Sequence, residues 1–123
     1  MNLKIGAETR LCSAVVNQCV KDACMSPSIT KSKLPAIRPA AKEAIRELFN
    51  GRLDGYIYFA GIMPNRFKNT LIQFMYTSKE PDIYGLYNEQ RRQCFRWNCK
   101  QVLDNKNVHL PKQFVQKMGE TYQ

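Results

Sequence analysis

Residues 53–75 read LDGYIYFAGIMPNRFKNTLIQFM. A short aromatic-rich run ends at Ala60-Gly61, Ile62-Met63-Pro64 follows, and an amphipathic run completes the segment. Gly61 suits the positive φ that closes a helix. Pro64 suits the first turn of the next helix, where its missing N–H costs nothing. From there Phe67, Leu71, Phe74 and Met75 recur at i, i+4, i+7 and i+8 on one face, with Asn65, Arg66, Lys68, Asn69 and Gln73 on the others. Residues 53–76 are therefore expected to form helix, tight turn and helix, the second basic and amide-rich outside, which is the arrangement of a DNA-binding helix-turn-helix. The competing reading is a β-hairpin, because Tyr56-Ile57-Tyr58-Phe59 and the run from Leu71 to Tyr76 have strand-like composition. Alternation is poor in both runs, whereas helical spacing is good in the second. The expected fold is all-α, a compact bundle of about five to six short helices containing this unit. The alternative is α+β with a central β-hairpin.

Just upstream, residues 39–50 read PAAKEAIRELFN. Pro39 opens a helix and Gly51 follows it, the usual asymmetry of helix ends. Ala41, Ile45, Leu48 and Phe49 form its apolar face, while Lys42, Glu43, Arg46 and Glu47 face water as ordinary surface neighbours. Asp54 is then expected to cap the first helix of the central unit. Further upstream, residues 8–24 place Cys12, Val15, Val16, Cys19 and Ala23 at helical core spacing, and that helix ends before Pro27. Residues 25–38, rich in Pro and Ser, are expected to be a basic connector loop. Lys31, Lys33 and Arg38 have no acidic neighbour within it, so it suits lying along phosphates as well as being a solvated linker.

Downstream, residues 77–90 carry Pro81 and Gly85 and read as turn-rich. Residues 86–104 are expected to hold a basic helix. Phe95, Cys99, Val102 and Leu103 share one face of it. Arg92, Arg96 and Lys100 recur every four residues as a stripe able to follow a phosphate backbone. The plain alternative is a solvated face with Trp97 in the core. Residues 109–123 suggest a short closing helix from Pro111, with Phe114, Val115 and Met118 on one face.

The chain has 123 residues, which suits a single domain, 1–123. Nineteen Lys and Arg stand against ten Asp and Glu, a net charge of +9. That balance favours a polyanionic partner, most simply nucleic acid. No apolar run reaches the ~18 residues of a membrane span, and no leader pattern is read at the N-terminus. A cytoplasmic setting is expected, with no membrane partner and with the cysteines reduced. There is no Gly-rich phosphate loop, H-E-x-x-H, G-x-S-x-G or regular metal-ligand cluster. His109 has no evident partner ligand, and no cysteine opens an expected helix as an activated thiol would. The expectation is a protein that is not an enzyme, takes no cofactor or metal, and has no small-molecule substrate.

The order of parts is a leading helix, a loop, an Ala-rich helix ending in Leu48-Phe49, and then Phe59-Ala60-Gly61-Ile62-Met63-Pro64-Asn65-Arg66-Phe67-Lys68-Asn69-Thr70-Leu71. It resembles a group of small phage and prophage proteins that carry a helix-turn-helix-like segment of the form L-A-G-L-D-P-x-x-V-R-x-x-L. The resemblance covers residues 8–75. Met63 stands where that group has an Asp before the Pro, and Ile57 where bacterial helix-turn-helices commonly have a small residue. The resemblance implies a helix-turn-helix fold and a phage or prophage context, hence a bacterial host cytoplasm.

The leading expectation is a transcriptional regulator that reads duplex DNA with the helix starting at Pro64. Asn65, Arg66 and Asn69 are the base-edge candidates, because Arg reads guanine and Asn reads adenine bidentately, and Gln73 lies on the same helix. Lys68, Arg52, Lys31, Lys33 and the stripe of Arg92, Arg96 and Lys100 are the phosphate candidates. Useful specificity from one such module needs a homodimer over two half-sites. The alternative is a phage-encoded protein that binds and inhibits or redirects a host protein, such as a nucleic-acid or defence enzyme. Its interface would draw on Tyr56, Tyr58, Phe59, Tyr84, Tyr87 and Trp97. A basic RNA-binding module is a third possibility.

Overall fold

The computed structural model describes residues 3–76 and 89–102, together with positions 110, 112, 115 and 116. Among them run five helices, α1 (Leu3–Ala23), α2 (Pro39–Phe49), α3 (Asp54–Phe59), α4 (Pro64–Tyr76) and α5 (Glu89–Gln101), with two short strands, β1 (Ser28–Ile29) and β2 (Pro35–Ala36), between α1 and α2. The described residues are thus mostly helical with one small antiparallel hairpin, and the central segment is helix, turn and helix. None of the described helices is long and apolar enough to cross a membrane.

One core holds these parts together. It takes Val16, Val20 and Ala23 from α1, Ala44, Ile45, Leu48 and Phe49 from α2, and Ile57 from α3. Phe67, Leu71 and Ile72 come from α4, and Phe95 and Cys99 from α5. These positions follow the three-to-four-residue period of a helix buried on one face. Each fully buried large side chain among them contributes roughly 1.5–3 kcal/mol. α1 lies against α2 and α3, and α5 packs on α4 and α2. Of the expected core set, Cys12, Val15 and Cys19 are only half-buried, and Val20, a position absent from that set, is fully buried.

The connector differs most from its sequence reading. Residues 25–38 hold the hairpin, with Ser28 opposite Ala36 and Ile29 opposite Pro35. Its tip is closed by the Thr30 N–H donating to the Leu34 carbonyl at 3.0 Å and by the Lys33 N–H donating to the Thr30 carbonyl at 2.8 Å. Lys33 takes a left-handed φ of 63°, a conformation that costs a non-glycine residue energy and is held here by those bonds. Arg38 Nε donates to the Ser26 carbonyl at 2.8 Å and fastens the base. Two-residue strands, one of them containing Pro35, give almost no periodic signal, which is why the segment reads as a plain loop.

Asn98 ties α5 to the end of α1. Its side chain is fully buried, and Nδ2 donates to the carbonyls of Ala23 and Met25, each at 2.9 Å. These carbonyls lie at the end of α1, where the helix leaves acceptors without intrahelical partners. The passage 77–88 with Tyr84 and Tyr87, Leu103, His109, the side chains of Phe74 and Met75, and most of the expected closing helix lie outside the described residues.

Candidate nucleic-acid interface

The turn between α3 and α4 is built by hydrogen bonds that the glycine permits. The Gly61 N–H donates to the Tyr58 carbonyl at 2.9 Å and the Ile62 N–H to the Ile57 carbonyl at 3.1 Å. Gly61 has φ 91°. This pair of bonds around a left-handed glycine is the Schellman ending of a helix. The chain then re-enters a helix at Pro64, with the Phe67 N–H donating to the Met63 carbonyl at 2.9 Å. Asp54 does not cap α3. The capping position is Leu53, which makes no side-chain bond, and Asp54 is the first helical residue. Its carboxylate still favours the positive end of the helix dipole and reaches Lys68 Nζ at 3.4 Å.

α4 sorts its side chains by angle. At about 100° per residue, Asn65, Asn69, Gln73 and Arg66 fall within an arc of about 100°, opposite Phe67 and Leu71. All four are exposed, and Phe67 and Leu71 are fully buried. Arg66 is the one cation on that arc, and α4 carries no acidic residue. Lys68 falls on the inner side of the helix, so its side chain is 19% exposed and paired with Asp54. It is therefore not the outward phosphate contact that its sequence position suggested.

The stripe on α5 is also turned inward. Arg92 is 5% exposed, and its Nη2 lies 2.7 Å from Glu89 Oε2. Arg96 Nη2 lies 3.1 Å from the other oxygen, Oε1. One carboxylate thus holds both guanidiniums, and of the three stripe residues only Lys100 is exposed. The cause is legible in the spacing: Arg92 stands three before Phe95 and seven before Cys99, on the buried face. Arg52 is exposed and its Nη1 lies 3.2 Å from Glu47 Oε1, an ion pair of a kind worth little. Lys31 and Lys33 are exposed on the hairpin tip, on a different element from α4.

α3 and the turn after it carry a group of large apolar side chains that the sequence left between core and surface. Tyr56 and Tyr58 are exposed, as are Phe59 at 65% and Met63 at 62%. Tyr58 and Phe59 meet edge to face with ring centroids 5.9 Å apart. Leu53 and Ile57 point inward and Ile62 is half-buried against the core, while the six-residue helix leaves its other apolar side chains in water. Trp97 is half-buried, in a shallow recess beside Pro27 and Pro35.

Three of the five thiols, Cys19, Cys24 and Cys99, are held protonated by their surroundings. Burial pushes Cys19 up to about 12, with Asp22, Glu47 and Glu43 adding to the rise. Burial likewise takes Cys24 up to about 12, with Arg91 pulling the other way and Cys94 adding to it. Cys99, wholly enclosed, is raised by burial and then by Cys24. A thiol held protonated is a poor nucleophile. Comparison with protein families, with curated proteins and with solved structures returns no match to this chain.

Proposed function

We propose that this chain is a small basic DNA-binding protein that is not an enzyme, a regulator of phage type acting in a host cytoplasm, which reads duplex DNA by laying α4 in the major groove. The observation that carries the reading is the outer arc of α4, where Asn65, Arg66, Asn69 and Gln73 are all exposed on a helix with no acidic side chain. Arg and Asn are the side chains that pair bidentately with guanine and adenine. Arg52 and Lys100 are exposed and suit phosphate contacts. The net charge of +9 supports the same partner.

The test is binding to random-sequence duplex DNA across a salt series, followed by selection of the bound sequences. The expected outcome is an enriched motif for the native chain. In an Arg66→Ala/Asn69→Ala variant that motif vanishes, with a loss of roughly 1–3 kcal/mol per base contact removed. Motif-free binding that fades with salt in both proteins overturns the reading. The second reading, a protein that docks on a host protein, is supported by the exposed Tyr56, Tyr58, Phe59 and Met63. Under it, the α4 variant still captures one host protein after nuclease treatment, and Phe59→Ser/Met63→Ser loses it.

A further inference from the structure

A groove of about 500 Å³ runs between α1 and α2. Val15, Cys19 and Ala44 form its apolar floor, and Asp22, Glu43 and Glu47 line its rim, with no lysine or arginine in the lining. On a chain of net charge +9, this is a local reversal of sign over a half-buried apolar floor. Burial raises the Cys19 thiol at the floor, and the same three carboxylates add to the rise.

The hairpin tip carries the opposite pattern. Ile29 is 70% and Leu34 64% exposed, and Lys31 and Lys33 stand exposed between them. The tip is held in one shape: Thr30 Oγ1 lies 2.8 Å from Ser32 Oγ and donates to the Leu34 carbonyl at 3.0 Å. Two exposed aliphatic side chains flanking two lysines match an apolar floor rimmed by carboxylates. Large exposed aliphatics on so short a hairpin have no partner in their own core, and such side chains mark contact surfaces when charged residues frame them.

We propose that the occupant of the groove is a second copy of this chain. The hairpin tip of one copy enters the α1–α2 groove of the other, with Leu34 on the floor and Lys31 and Lys33 on Glu43, Glu47 and Asp22. Within one copy Glu43 pairs with Arg46 and Glu47 with Arg52, each at 3.2 Å, and Gln18 Nε2 donates to Asp22 at 3.0 Å. Exposed pairs of this kind contribute little, so incoming lysines share or exchange these carboxylates at small cost. A single tip is small beside a standard protein interface, which makes one contact weak. Made reciprocally about a two-fold axis, the contact occurs twice and closes as a dimer; made in one direction only, it grows chains. The proposal stands apart from DNA reading and is tested without DNA.

The experiment is sedimentation of the full chain over a range of concentrations at low and at high salt. The expected result is concentration-dependent self-association that weakens as salt screens the lysine–carboxylate contacts. Lys31→Glu/Lys33→Glu and Glu43→Lys/Glu47→Lys each weaken it at least about tenfold, because like charges then face each other. Mixing the two variants restores it, since each tip meets a groove of opposite sign. Circular dichroism checks that the variants fold. If Glu47→Lys unfolds the chain, Glu43→Lys alone takes its place in the mixture, and Leu34→Asp tests the floor contact from the exposed side. A native chain that stays monomeric throughout, association indifferent to the charge reversals, or a mixture that fails to recover overturns the proposal.

Discussion

On α4, Asn65, Arg66, Asn69 and Gln73 face solvent, and no acid shares the helix. On α5, Arg92 is buried and shares the carboxylate of Glu89 with Arg96. Both helices carry side chains whose types suit nucleic acid, yet the fold places them in opposite ways. The difference lies in how each set sits relative to the apolar positions of its own helix. The α4 arc is turned away from Phe67 and Leu71. Arg92 is in register with Phe95 and Cys99, so the guanidinium goes in with the rings and needs an anion to accompany it. A buried charge without a partner is strongly disfavoured, and Glu89, three residues before Arg92 and seven before Arg96, supplies that anion for both.

The largest expected effect tests the division of α4 itself. Phe67→Ala removes a fully buried ring and is expected to cost roughly 3–5 kcal/mol of stability in urea unfolding. Arg66→Ala, one residue away on the exposed arc, is expected to change stability by less than about 0.5 kcal/mol. A comparable loss from both would mean that the arc is part of the packing and is not presented to a partner.

A smaller effect is expected on α5. Glu89→Ala leaves the buried Arg92 without its 2.7 Å partner. The loss is expected to be roughly 2–3 kcal/mol, below the ~3–5 of a fully buried pair, because the Glu89 side chain is 55% exposed and already partly solvated. Unfolding midpoints for Glu89→Ala and for Glu43→Ala, whose partner Arg46 is more exposed, make the comparison direct. Equal, negligible losses would show that Glu89 is not what stabilises the buried Arg92 guanidinium.

These contrasts also mark what could be read from the sequence. The boundaries of α2, the Gly61–Pro64 turn and the inward positions Phe67 and Leu71 follow from local rules: a glycine at a left-handed position, a proline in a first turn, and the helical period. These are determined by residues a few positions apart, so a linear reading reaches them. The hairpin was missed because hydrogen bonds around Thr30 and Leu34, and not a hydrophobic pattern, define it. The pairing of Lys68 with Asp54 joins α3 and α4, and that of Asn98 with Ala23 joins α5 to the end of α1, so neither has any local trace. Arg92 is the instructive case, because its signal was present: set against Phe95 and Cys99 instead of against Arg96 and Lys100, its spacing already places it on the buried face.

The smallest expected effect separates the two helices most directly. Arg66→Ala and Arg96→Ala each remove one positive charge, so they lower the net charge equally, and any long-range loss of attraction to DNA is common to both. Only position then distinguishes them. Each phosphate contact released changes the slope of log affinity against log salt by about 0.9. Arg96 is held by Glu89 with its side chain 17% exposed, so Arg96→Ala is expected to leave the slope and the preferred sequence unchanged. Arg66→Ala is expected to weaken binding by roughly 1–3 kcal/mol and to relax preference at one base pair. A slope that falls for Arg96→Ala while Arg66→Ala behaves as native would move the DNA contact to α5, which requires Glu89 to release its arginines when a phosphate arrives.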